Sequence, residues 1–246
     1  MKLDGSTAIL MASFGTTHPD ALERCIAGTE RSVAARFPGY PVYRAFTSSM
    51  VIRRLKQRHG IAVDTVGEAL ERMKADGVRR VAVQPTLLLG GIEYERLLRV
   101  VQGCTGLCAA TGKPLVAGQE DCEALASAIM AEHPLVQDEA LLLMGHGTEH
   151  AANHVYHALQ GEPSFMDAVA RLTASASTRA RLLPLMFVAG EHAKSDMAGE
   201  QEGSFLTCAR AAGIAAHPAL HGLGESEAIR ALYVRRVEAA LREVER

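Results

Sequence analysis

One strand-turn-helix pattern occurs twice in this chain, and the duplication narrows the architecture more than any other feature. The apolar run Thr7 to Met11 leads into Ser13-Phe14-Gly15-Thr16-Thr17, and the apolar run Ala140 to Met144 leads into Gly145-His146-Gly147-Thr148-Glu149. Each reads as a buried strand that ends in a glycine turn and feeds a helix. The second copy has His146 where the first has Phe14. A second pair agrees: Gln84-Pro85-Thr86-Leu87-Leu88-Leu89-Gly90-Gly91 matches Leu183-Pro184-Leu185-Met186-Phe187-Val188-Ala189-Gly190, and Glu191-His192 follow. Two similar α/β halves facing each other across a cleft are therefore expected, each a doubly wound parallel sheet. His146 and His192 then fall at strand ends, where such folds bind ligands.

Strands alternate with helical patterns throughout. The strand candidates are 7–13, 41–46, 80–85, 114–118, 139–144, 181–188 and 215–221. The spacing predicts helices at 20–36, 47–58, 65–75, 93–108, 123–131, 149–159, 165–174, 203–212 and 226–246. The boundary is placed near residue 120, which gives an N-terminal half of 1–120 and a C-terminal half of 121–246. The halves are unequal, because the interval from Gly15 to Gly91 is far longer than that from Gly147 to Gly190. In half one it holds the strand 41–46; in half two the chain runs from Gln160 almost directly through Gly161-Glu162-Pro163 into Ser164. The second sheet is expected to lack one strand. Read as a central strand, its loss would leave unpaired sheet edges.

Composition limits the partners. In 246 residues, 26 Lys and Arg face 28 Asp and Glu, a net charge of -2 without a basic stripe, so neither nucleic acid nor an anionic membrane surface is indicated. No apolar stretch is long enough to span a bilayer, and the first residues lack a signal-peptide pattern, so a cytoplasmic protein is expected. Five cysteines without a CxxC pair argue against a disulfide framework. Cys104 and Cys108, one turn apart on the predicted helix 93–108, read as ordinary helix residues rather than metal ligands.

Ten histidines leave several for chemistry. His150, His154 and His157 fall on one face of the predicted helix 149–159, a spacing that can chelate a transition metal and that equally suits a solvated face. His146 differs, since its flanking glycines let the backbone bend and let a bulky ligand approach. With His192 it could hold a metal ion, accept protons near neutral pH, or do both. Half one offers hydroxyls instead: Ser13, Thr16, Thr47 and Ser48, with Arg53 and Arg54 one turn later and Glu93 on the rim. Such groups hold carboxylates, and they also serve as helix caps. No loop has the phosphate-binding GxGxxG or GxxxxGK[ST] pattern.

Taken together, several segments resemble one family. They are Ser13-Phe14-Gly15-Thr16-Thr17, Arg44-Ala45-Phe46-Thr47-Ser48-Ser49-Met50, Gly91-Ile92-Glu93-Tyr94-Glu95, Met144-Gly145-His146-Gly147, Pro184 to Ala193 with Asp196-Met197, and His221-Gly222-Leu223-Gly224-Glu225. This set, spread over nearly the whole chain, resembles the sirohydrochlorin cobaltochelatases of the anaerobic cobalamin pathway, the CbiK type of the class II chelatases. The resemblance implies two flavodoxin-like halves with a site between them. It also implies ATP-independent insertion of Co(2+), the substrate metal, into sirohydrochlorin or its precursor, with His146 and His192 as metal-binding and catalytic pair. Two departures stand out. The family's metal-site glutamate precedes a Tyr-Pro pair on the strand missing here, which leaves Glu162 as a displaced third ligand. A histidine that the family often has before Gly-x-Glu-Tyr is replaced by the segment Thr86-Leu87-Leu88-Leu89. Insertion of Fe(2+) or Ni(2+), a non-catalytic tetrapyrrole binder, and a homo-oligomeric state stay open on sequence alone.

Overall fold

The computed structural model of the protein describes residues 6–146, 164–175 and 177–246. The chain forms two compact units, residues 1–125 with 224–246, and residues 126–223.

The first unit is built on a parallel sheet of order β2-β1-β3-β4, from β1 (Thr7–Ser13), β2 (Val42–Phe46), β3 (Arg80–Pro85) and β4 (Cys108–Thr111). Every residue of β1 is buried, as expected for a central strand covered on both faces. Its alternation sorts the core into two layers. Ala8, Leu10 and Ala12 pack with Val66, Ala69, Leu70, Met73, Leu97 and Val101, whereas Ile9 and Met11 pack with Val33, Phe37, Val237, Ala240, Leu241 and Val244. The helix that follows β1 runs without interruption through α1 (Pro19–Ala21), a π-helical stretch Leu22–Ala27, and α2 (Gly28–Arg36). After β2 comes α3 (Ser49–His59), capped by the Ser48 side chain and ended by Gly60 at φ 68°. A capping box between Thr65 and Glu68 opens α4 (Val66–Ala75). Next, α5 (Ile92–Gln102) starts at Gly91.

The predicted helix 93–108 therefore stops at Gln102, and the edge strand β4 uses Cys108–Thr111 rather than 114–118. Cys104 lies beyond the helix and Cys108 lies in a strand, so the helical-turn spacing proposed for them does not exist. The segment after β4 stays extended alongside the end of β3, with a single bridge between Leu89 and Val116.

The chain passes into the second unit within α6 (Gln119–Glu132). There β5 (Glu139–Met144), β6 (Arg179–Pro184) and β7 (Ala215–Pro218) form a parallel sheet of order β5-β6-β7, with α7 (Phe165–Thr173) and α8 (Phe205–Ala211) in the same unit. One core joins Leu142, Met144, Leu182, Val169, Met197 and Leu206.

The repeat holds at the level of single hydrogen bonds. Ala12 pairs with Pro85, and Met144 pairs with Pro184. Thr86 N–H donates to the Ala12 carbonyl at 2.9 Å, and Leu185 N–H donates to the Met144 carbonyl at 2.8 Å. At the far end of these strands Arg80 N–H reaches Ser6, and Arg179 N–H reaches Asp138. Thus β1, β3 and β4 correspond to β5, β6 and β7. The strand without a counterpart among the described residues is β2, and β2 is an edge strand rather than a central one. Among the described residues the second sheet therefore has β5 at its edge and is continuous from β5 to β7. The predicted helix 149–159, with His150, His154 and His157, lies outside the described residues.

The boundary near residue 120 needs a correction at the C-terminus. The last helix, α9 (Glu227–Val244), belongs to the first unit, not to the half numbered 121–246. Its apolar stripe of Ile229, Tyr233, Val237, Ala240, Leu241 and Val244 is buried, and the last four of these pack on the Ile9 and Met11 face of β1. Polar ties reinforce the packing. The fully buried Tyr233 hydroxyl donates to the Thr86 carbonyl at 3.1 Å, and Arg236 donates to the Leu115 carbonyl and pairs with Asp121.

Candidate functional site

The second unit brings two imidazoles together. His146 follows the end of β5, and His192 stands at the start of a helical turn after β6. Because β5 and β6 are hydrogen-bonded neighbours running parallel, both side chains emerge at the carboxyl edge of the same sheet. Their ring centres are 4.8 Å apart, and the ring planes are inclined at 78°. Imidazoles that bond one first-row ion at about 2.0–2.1 Å have ring centres roughly 5 Å apart, so the spacing suits two ligands of one ion. Both side chains are exposed, which leaves them open to an incoming metal.

His192 carries an orienting partner. Its Nδ1 lies 2.6 Å from Asp196 Oδ2. The turn between them, Ala193–Met197, is π-helical, with Ala198 N–H donating to the Ala193 carbonyl. Such turns recur at functional sites. A carboxylate on Nδ1 fixes the tautomer and leaves the Nε2 lone pair for a metal, as the outer partners of metal-bound histidines do. Sequence reading missed Asp196 as a working residue. The signal was its i, i+4 spacing from His192, hidden because no helical turn was expected between the strand candidate 181–188 and the predicted helix 203–212.

Among the described residues, no group of three or more His, Cys, Asp or Glu side chains gathers around one point. Glu162, expected as a third ligand, lies outside the described residues.

The hydroxyls expected in the first unit divide into two kinds. Ser13 and Thr16 are buried at 1% and 5% exposure. The Ser13 hydroxyl accepts from Thr86 Oγ1 at 2.8 Å, and Thr16 Oγ1 accepts from the His18 N–H at 3.2 Å. Their hydrogen bonds shape the turn after β1. Thr47 and Ser48 follow β2, where their N–H groups donate to the Ser13 and Phe14 carbonyls at 2.8 and 3.3 Å. Ser48 Oγ caps α3 through Val51, and the buried Thr47 Oγ1 has no hydrogen-bond partner among the described residues. Arg53 and Arg54 are exposed on α3. Glu93, in the first turn of α5, pairs with Arg96 at 2.7 Å. By the repeat, Glu93 occupies the position of His192.

Comparisons with known proteins place the chain among chelatases. A model of the cobalt chelatase (CbiK) family matches residues 7–161 and 157–242. Sirohydrochlorin cobaltochelatase of Salmonella typhimurium is 39% identical over 253 residues, which cover 95% of this chain and 96% of the relative. Sirohydrochlorin cobaltochelatase CbiKC of Nitratidesulfovibrio vulgaris is 33% identical over 255 residues, 95% of this chain and 90% of that one. Among solved structures, SirB from Bacillus subtilis with Fe3+ has the same fold, with a TM-score of 0.64 at 15% identity, covering 98% of this chain and 97% of SirB. The sirohydrochlorin chelatase SirB in complex with cobalt gives 0.61 at 13% identity and the same coverage.

Proposed function

This chain belongs to the cobalt chelatase (CbiK) family, and from that premise we propose that it inserts Co(2+) into sirohydrochlorin without a nucleotide, using His146 and His192 as metal ligands and proton acceptors. The observation that carries the residue assignment is the imidazole pair at 4.8 Å with Asp196 on one outer nitrogen.

Insertion exchanges one Co(2+) for the two pyrrole N–H protons of the macrocycle, so the enzyme must present the ion and remove protons at one place. Neutral imidazoles do both: the lone pair that releases the ion to the ring nitrogens is then available for a proton. Asp196 holds the His192 ring in one orientation throughout, by accepting its Nδ1–H. Glu162 is the third donor in this reading.

The ring's peripheral carboxylates need donors, and the first unit offers groups of that chemistry: the Thr47 hydroxyl, which has no partner among the described residues, the start of α3 at Ser48, and the cations Arg53 and Arg54. Reaction without a nucleotide is supported by the absence of a phosphate-binding loop pattern from the sequence. Imidazole does not by itself separate Co(2+) from Fe(2+) or Ni(2+).

Replacing His146 or His192 by alanine is expected to abolish cobalt insertion, followed by the absorbance of sirohydrochlorin. Near-normal turnover by both variants contradicts the assignment. The same assay with a panel of metals ranks Co(2+), Fe(2+) and Ni(2+), and an absorbance change that stops at one equivalent of protein identifies a binder instead of a catalyst.

A further inference from the structure

The first unit exposes large apolar side chains in the segments that follow three neighbouring strands: Phe14 directly after β1 at 45%, Met50 in the first turn of α3 after β2 at 44%, and Ile92 at the start of α5 after β3 at 40%. All lie toward the carboxyl edge, the edge at which the second unit carries its imidazoles. The repeat makes the contrast specific. Phe14 occupies the position of His146 and Ile92 that of Glu191, so one sheet is apolar where its counterpart is polar.

The Phe14 backbone is held in place although its side chain is exposed. Its carbonyl accepts from the Ser48 N–H, and the residue after it, Gly15, has φ 99° with the Phe46 ring directly below. The backbone is fixed on both sides while the aromatic ring faces solvent. An exposed, rigidly mounted aromatic ring with apolar neighbours suits a flat conjugated ligand.

We propose that Phe14, flanked by Met50 and Ile92, is the platform on which one face of the tetrapyrrole stacks. This rests on the functional reading above and adds to it a specificity-determining residue outside the metal pair. The polar groups near the platform, Thr47 and Ser48 at the end of β2, match a ligand with an apolar face and a carboxylate rim.

The test is a titration of metal-free protein with sirohydrochlorin, read by absorbance, for the wild type, Phe14→Ala, Phe14→Tyr and Met50→Glu. Phe14→Ala is expected to weaken binding about ten-fold or more. Phe14→Tyr is expected to keep wild-type affinity, and Met50→Glu to weaken binding by placing a carboxylate against a polycarboxylate. In turnover, Phe14→Ala raises KM for sirohydrochlorin and leaves KM for Co(2+) unchanged. Wild-type affinity in Phe14→Ala, or an equal rise in both KM values, overturns the platform. So does a loss of self-association in Phe14→Ala with unchanged tetrapyrrole affinity, which assigns the patch to a second copy of the chain. If the wild type itself does not bind sirohydrochlorin but binds Co(2+), the functional reading fails, and the platform with it.

Discussion

At the scale of single residues, Asp196 gives His192 a defined role. Without it, either ring nitrogen could carry the proton, and the ring could turn about its side-chain bonds. With Asp196 Oδ2 at 2.6 Å, Nδ1 is engaged by the carboxylate, which in the proposed function leaves Nε2 for the metal. Asp196→Asn is expected to raise KM for Co(2+) by about 10- to 100-fold, with KM for sirohydrochlorin unchanged and partial recovery in Asp196→Glu. Equal KM values for cobalt in Asp196→Asn and wild type reduce Asp196 to a surface residue. Gly15 illustrates a different constraint. At φ 99° a side chain is strained, and a Cβ would fall 2.5 Å from a ring carbon of Phe46, itself fully buried. Strain and overpacking together predict a loss of about 2–5 kcal/mol for Gly15→Ala, measurable as a lower urea midpoint. The matching position in the sequence repeat is also a glycine, Gly147.

At the scale of elements, the contact between α6 and α9 is governed by one ion pair and its acidity. Burial on its own raises the Asp121 pKa, but the Ala117 N–H and the Arg236 guanidinium outweigh it and hold the carboxyl below its ordinary range. A carboxylate depressed in the folded state contributes stability that is fully present above its unfolded pKa of about 3.9. That contribution is lost as the pH falls through the folded value. Asp121→Asn should therefore cost about 1 kcal/mol at neutral pH, with the deficit shrinking below about pH 4. Urea unfolding of both proteins at pH 7 and pH 3 checks this, and a deficit that is unchanged at pH 3 contradicts it. Elements were legible where side chains announced them. The run Thr7 to Ser13 is apolar and β-rich enough to be read directly, whereas Cys108-Ala109-Ala110-Thr111 is small and featureless beside Pro114-Leu115-Val116. The latter looks more like a strand by propensity, yet the ladder with β3 forms at Cys108 to Thr111. Asp196 escaped notice for the same reason, since a short helical turn has too few residues to show a period.

At the scale of the whole molecule, the repeat was readable because it is a register. Matching strand residues make matching hydrogen bonds, and so Phe14 and His146, and Glu93 and His192, can be compared position by position. The shortened second half was visible in the same way, as a spacing that did not fit. What spacing could not reveal was which sheet the last helix covers. The chain order β5, β6, β7, α9 suggests the second, and an amphipathic helix carries no label for its partner surface. The structure sends α9 back to the first sheet, where Val237 is fully buried with Ile9, Met11 and Ala82. The three core clusters are then separate, one built on β5 to β7 and two on the faces of the β1 to β4 sheet. This makes Val237→Asp a discriminating substitution. An unpaired carboxylate at that position costs about 4 kcal/mol or more, and the damage should fall on the sheet that α9 covers. Hydrogen exchange is expected to show lost protection in β1, β3 and β4, with β5 to β7 close to wild type. Greater loss in β5 to β7 would instead mean that α9 stabilises the second unit, and the first sheet would then need another cover for Ile9 and Met11.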